Sequence, residues 1–178
     1  MERVALPVVH DPHLPALEKL RLFYVTMGRW KTERKHLMLA LLRVWYADDN
    51  AIVRQKVYAA ALRRIAPLLT AIVCQGVRER ALTTSYPEHI GEVVLSLFQG
   101  LGDAFAESLL SSEPGVDHLE RAQSSVDAYS DALERVLGAP SGSILLVDTE
   151  TLRPWFVRRD GQGTPGQEDP ETGDASED

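Results

Sequence analysis

Cysteine is almost absent from the 178-residue chain: Cys74 stands alone, so no internal disulfide can form. The sequence also shows no signal peptide and no uninterrupted apolar run of transmembrane length. These absences favour a cytoplasmic protein without a membrane partner. Hydrophobic residues make up 44% of the chain and charged residues 25%, which is ordinary for a soluble protein and excludes a chain that is disordered throughout.

Positive charge is scarce as well, because 26 Asp and Glu residues outnumber 19 Lys and Arg residues. Seven of the acids lie at or beyond Asp160, where no Lys or Arg occurs, so residues 1–159 are neutral overall. A neutral body lacks the positive field that attracts phosphate backbones. The sequence therefore predicts no DNA binding by this chain alone, and the basic residues near Glu33 are interpreted as a solvated helix face.

Catalytic signatures are missing too: the chain has no phosphate loop, paired-carboxylate motif or nucleophile elbow. Only His10 and His13, on either side of Asp11, approach metal-ligand spacing, and no carboxylate or cysteine cage accompanies them. Cys74 falls on an apolar helix, where an inert thiol is expected. The sequence predicts no enzyme, no metal site and no cofactor.

Apolar residues at helical spacing dominate what is present, and they predict an all-α bundle of about five main helices. The predicted helices cover 15–27, 31–46, 51–74, about 87–110 and 116–137. Residues 1–12 are expected to form an irregular lead-in around Pro7. Residues 13–159 form the helical domain, and residues 160–178 have the composition of a disordered acidic tail.

Several local signals refine these helices. Pro67 removes a backbone donor inside the third helix, so a kink or break is expected near Ile65. Pro87 suits the first turn of the fourth helix, and Gly138 suits a left-handed cap after the fifth. Because the third helix is apolar over most of its circumference, we expect it to be central.

The fifth helix has the most regular periodicity in the chain. Its apolar positions are separated by three or four residues, a narrow seam typical of coiled-coil-like packing. The fourth helix also carries a line of apolar and small residues. The two sets are Leu119, Ala122, Val126, Tyr129, Leu133 and Val136 on the fifth helix, and Val93, Leu97, Gly100, Leu101 and Ala104 on the fourth.

Four segments resemble the C-terminal regulatory domain of TetR/AcrR-type transcriptional regulators. They are LPALEKL at 14–20, AIVRQKVYAAALRRIAPLL at 51–69, IVCQGVRE at 72–79, and YPE at 86–88 leading into VVLSLFQGL at 93–101. The resemblance covers roughly residues 11–138. The family often has glycine after Glu79, where this chain has Arg80. The family also begins with a helix-turn-helix domain, for which the residues before Pro15 are too few.

The resemblance implies an effector-binding and dimerisation domain without a DNA-binding head. The last two long helices would pair with a second subunit through the two sets given above, and the first helices would enclose a small apolar or amphipathic effector. The pocket candidates, each of which could equally be a core residue, are Phe23, Leu41, Trp45, Tyr58, Leu62 and Phe98. The alternative is a helical dimeric interaction or scaffold protein without a ligand.

Overall fold

A computed structural model describes residues 2–46, 50–111 and 117–156, with side chains from residue 6 onward. Within these ranges the chain is helical and contains no β-strand, which confirms the all-α prediction. The helices are α1 (Glu2–His10), α2 (Ala16–Glu33), α3 (Lys35–Trp45), α4 (Ala51–Arg64), α5 (Ala66–Arg78), α6 (Ile90–Leu110), α7 (His118–Leu137) and α8 (Thr149–Phe156). The predicted acidic tail, residues 160–178, lies outside the described residues.

Helix α1 corrects the prediction of an irregular lead-in, because Glu2–His10 is helical despite Pro7. Val9 is buried in the core, and its carbonyl oxygen accepts a hydrogen bond of 2.7 Å from the buried Lys19 ammonium of α2. Packing against α2 and α5 therefore stabilises a segment for which the local signal at Pro7 indicated a break.

The break expected near Ile65 is confirmed. Helix α4 ends at Arg64 and α5 begins at Ala66, with Pro67 in the first turn of α5. The Ile65 amide still donates to the Ala61 carbonyl at 2.7 Å, so the interruption at Ile65 does not cost that bond.

The ends of the last two long helices differ in how well the sequence predicted them. Pro87 lies in a turn, and α6 begins only at Ile90. The prediction that Pro87 occupies the first turn of this helix is therefore wrong. The Asp117 carboxylate accepts hydrogen bonds from the first amides of α7, a cap that the sequence did not single out. Gly138 ends α7 with φ of 58°, as predicted.

The core lies where α5, α6 and α7 pack side by side, with α2 and α8 closing it. The connection from α7 to α8 and the start of α8 fold back onto the helices and bury Ile144, Leu146 and Leu152. The largest fully buried side chains are Leu20, Leu69, Ile72, Leu133, Leu137, Val73, Val94 and Val126.

Helix α4 departs from the central position expected of the third predicted helix, and α3 beside it is no better buried. Neither contains a buried residue, although the structure describes every residue of both. The apolar face of α3 and much of α4 point to solvent, so the prediction that this region is central is wrong for α4 and right only for the α5 half of the same stretch. Periodicity identified the apolar face but not what covers it.

Two helical stretches are long and apolar enough to cross a membrane, judged by length and composition only. They are 51–78, which contains an 18-residue window with a mean hydropathy of 1.5, and Ile90–Leu110, which contains an 18-residue window with a mean hydropathy of 1.3. The second is α6, which packs between α5 and α7. The first combines the exposed α4 with the better buried α5.

Candidate ligand cavity

A cavity of about 300 Å³ lies between α2 and the segment that leads into α8. This volume is at the lower end of the range for small-molecule sites, about 300–1,000 Å³. The lining residues are Tyr24, Val25, Gly28, Arg29, Thr32, Glu33, Leu145, Leu146, Val147, Asp148 and Thr151.

One wall of the cavity is a single face of α2. Its residues follow each other at spacings of one, three or four positions, which places them along one side of a helix. Gly28 is the middle of this wall, and a Cβ atom there would meet only the Thr151 methyl group, at 3.8 Å. The missing side chain of Gly28 therefore leaves open the space between α2 and α8.

The opposite wall is held by three hydrogen bonds. The buried Glu134 carboxylate accepts from the Ile144 amide at 2.8 Å, and Asp148 accepts from the Thr151 amide at 2.6 Å, at the start of α8. The Trp155 indole N–H donates to the Thr32 hydroxyl at 3.1 Å and joins α8 to α2. These hydrogen bonds connect the second wall of the cavity to α7 and to α2.

Tyr24 is the polar group at the inner side of the cavity. Its residue is 5% exposed, and its hydroxyl has no hydrogen-bond partner among the residues that the structure describes. The ring packs against Phe98 with centroids 4.8 Å apart. Burial raises the pKa of Tyr24 far above its ordinary value, so the phenol stays neutral. A buried unpaired hydroxyl is costly, by about 1–3 kcal/mol.

Charged groups are confined to the outer part of the lining, where Arg29, Glu33 and Asp148 are exposed. Val25, Leu146 and Val147 supply apolar surface between them and Tyr24. This arrangement suits a small amphipathic molecule, with an apolar part inside and a polar part toward solvent.

The pocket residues named from the sequence lie elsewhere, and none of them lines this cavity. Phe23 and Phe98 belong to the core beside Tyr24. Leu41 is exposed, while Trp45 and Leu62 are half-buried. The Tyr58 hydroxyl pairs with Ser96 Oγ at 2.9 Å across α4 and α6.

The residues named for dimerisation divide into two groups. Leu101, Ala122, Val126 and Leu133 are buried within a single chain, so packing of α7 on α6 already accounts for much of the seam. The space beside Gly100 is also filled from within the chain, because a Cβ atom on Gly100 would overlap the Tyr129 side chain. Exposed or half-buried positions remain for a second subunit: Val93, Leu97, Ala104, Leu119, Tyr129 and Val136.

Metal-ligating side chains do not converge in the described part of the chain: no group of three or more His, Cys, Asp or Glu residues there could hold an ion. Cys74 is half-buried, with Sγ 3.7 Å from the Pro87 carbonyl oxygen.

Comparison with known proteins adds no family to this description. No family model, no curated protein and no solved structure matches the chain.

Proposed function

We propose that this chain is the effector-binding and dimerisation domain of a TetR-like transcriptional regulator, and that it binds a small amphipathic molecule in the cavity between α2 and α8. The observation that carries the proposal is a cavity of about 300 Å³ lined by apolar side chains, with charged groups at its exposed part. The order of the helical segments that resemble the family supports the regulatory part of the proposal.

The cavity is positioned to couple a ligand to the rest of the fold. Helix α2 packs on α1 and α5, and α8 packs on α7. A ligand between α2 and α8 would therefore contact two helices that pack on different parts of the bundle. A ligand that binds one arrangement of these helices more tightly would favour that arrangement. This is the requirement for a sensor, whichever module reads its state.

The cavity can be tested with 1-anilinonaphthalene-8-sulfonate, an amphipathic anion, as the probe. Methyl resonances of Val25 and Thr151 are followed by NMR during the titration, because they report on the cavity walls and not on other apolar surface. Gly28→Leu fills the space beside Thr151, and Gly102→Leu is the matched control, since a Cβ atom on Gly102 meets nothing within 4 Å.

We expect saturable shifts of both methyl resonances in the wild-type chain. Gly28→Leu should lower the probe affinity measured at these signals by at least about tenfold, because the added side chain blocks the cavity. Gly102→Leu should behave like the wild type. Absence of shifts at these methyl groups, or equal shifts in Gly28→Leu, would refute the cavity as a binding site.

Dimerisation is the second part of the proposal. The exposed and half-buried positions on α6 and α7, among them Val93 and Val136, would meet their copies across a symmetry axis. Light scattering at micromolar concentration should give the mass of a dimer, and Val93→Asp combined with Val136→Asp should give a monomer. A wild-type monomer would contradict this part.

A helical interaction protein without a ligand is the second candidate function. The exposed apolar side chains of α6 and α7, Val93, Leu110 and Val136, favour it. The two candidates differ in the NMR titration, because an interaction protein needs no probe-dependent shift at Thr151.

A further inference from the structure

The surface formed by α3 and α4, which we call the α3–α4 arm, exposes more apolar side chains than any other pair of neighbouring helices described. On α3, Leu37, Leu41 and Val44 follow the spacing i, i+4, i+7 along one exposed face. On α4, the exposed apolar residues are Ile52, Val53 and Val57. Their exposed fractions lie between 48% and 70%, values of side chains that stand out from a helix.

The charge of the same arm is of one sign. Helices α3 and α4 contain no Asp or Glu, and their charged residues are Lys35, Arg43, Arg54, Lys56, Arg63 and Arg64. The only acids in the sequence between residues 35 and 64 are Asp48 and Asp49, in the connection. Residues 1–159 are neutral overall, so the arm is a local basic region on a neutral body.

We propose that the α3–α4 arm docks on the surface of a membrane that contains anionic lipids. Helices that combine exposed aliphatic side chains with Lys and Arg lie in the interface between lipid headgroups and acyl chains. The aliphatic groups enter the apolar layer, and the exposed basic groups, Arg43, Lys56, Arg63 and Arg64, remain among the phosphates, where each contributes to binding through the negative surface potential. This site is separate from the cavity and does not depend on the proposed sensor function.

Two features favour a lipid surface over a protein partner. A second copy would bring one basic arm against another, and like charges at close range disfavour that pairing. A protein helix usually binds in an apolar groove, whereas the apolar side chains of the arm protrude, with 48% to 70% of their surface exposed. Insertion into lipid requires no complementary groove.

The experiment is co-sedimentation of the full chain with vesicles of phosphatidylcholine alone or of phosphatidylcholine mixed with phosphatidylglycerol. Leu41→Ser with Ile52→Ser removes apolar contacts, and its control is Tyr86→Ser, because Tyr86 is 69% exposed and Ile52 is 70% exposed. Arg43→Glu with Lys56→Glu reverses charge, and its control is Arg78→Glu at the exposed end of α5. Circular dichroism verifies that each variant folds, which exposed positions should permit.

We expect binding only to the anionic vesicles, weakened as ionic strength rises through about 0.1 M, where charges are screened beyond about 10 Å. Each arm variant should bind at least about tenfold more weakly, and both controls should bind like the wild type. Equal binding to neutral vesicles, no binding to anionic vesicles, or unchanged binding by the arm variants would overturn the proposal. So would a dimer that Ile52→Ser converts to a monomer, because a second copy would then cover the arm.

Discussion

Gly91 of α6 lies directly against the backbone of Ala66 in α5. A Cβ atom on Gly91 would overlap the Ala66 carbonyl oxygen and stand 2.8 Å from its carbonyl carbon. The Gly91 amide also donates a hydrogen bond of 3.2 Å to Oγ1 of Thr70, which lies on α5 like Ala66. The start of α6 is therefore fixed by contact between two backbones, just after the break at Ile65, and this contact sets how closely the two central helices approach.

Gly91→Ala should destabilise the fold by about 1–3 kcal/mol, because the added methyl group must push α6 away from α5. The free energy of unfolding from urea titration measures this. Gly102→Ala on the same helix is the control, since it adds the same methyl group in open space. It should stabilise the fold by up to about 1 kcal/mol through helix propensity. Equal effects of the two substitutions would contradict the close approach.

Arg80→Gly should stabilise the fold by about 0.5–1 kcal/mol. Arg80 has φ of 61°, a left-handed conformation that costs a residue with a side chain about 1–2 kcal/mol, and the greater freedom of glycine in the unfolded chain offsets part of the gain. Arg78→Gly, at the last residue of α5, should instead destabilise it by up to about 1 kcal/mol. Thermal unfolding of the two variants should therefore shift in opposite directions, and a lower melting temperature for Arg80→Gly would disprove the strain.

The sequence predicted the helices where one local signal decided the outcome. The three-and-four spacing from Leu119 to Val136 predicted α7, and Pro67 and Gly138 predicted a break and a cap that the structure contains. It failed at α1, where burial of Val9 outweighs Pro7. The departure at Arg80 was visible in the sequence, but its left-handed φ requires the turn to be seen.

The cavity could not be predicted in the same way, because its two walls are more than 110 residues apart in the sequence. The one sequence signal for the cavity was Gly28, because a glycine inside a long helix, here α2, leaves space beside it. Periodicity places Leu41 on the apolar face of its helix and so predicts a pocket or core residue, but in the structure Leu41 is exposed. Periodicity reports that a helix has an apolar face, but only tertiary structure shows whether another part of the chain covers that face.

Glu79 should make stability depend on pH. A hydrogen bond of 2.9 Å from the Ala16 amide, followed by one from the Gln75 side chain, lowers the pKa of the Glu79 carboxyl. A lowered pKa in the folded state means that the stabilisation is complete above the unfolded pKa, about 4.3, and is lost as pH falls through the folded value. Wild type should therefore lose its stability advantage over Glu79→Gln as pH falls from about 5 toward 3.

The measurement is a series of urea titrations of both chains across that range. Glu18→Gln provides a comparison, because the pKa of Glu18 is also lowered, by a hydrogen bond from Arg21 within α2, but that pair is exposed and joins no other element. Its pH-dependent difference should be smaller. A constant difference between wild type and Glu79→Gln from pH 7 to 3 would show that Glu79 does not cap α2.

Glu134→Ala links stability to the cavity. The Glu134 carboxylate accepts hydrogen bonds from the amides of Gly142 at 3.0 Å and Ile144 at 2.8 Å, and its removal leaves the buried Ile144 amide unpaired at a cost of about 1–3 kcal/mol. The unpaired Ile144 amide should exchange with solvent faster. The probe should also bind more weakly, because the cavity wall begins one residue later. Asp127→Ala, exposed on the same helix, should change neither. If exchange accelerates while probe affinity at Thr151 is unchanged, then Glu134 holds the chain but not the cavity, and the wall at 145–148 is set by Asp148 and α8 alone.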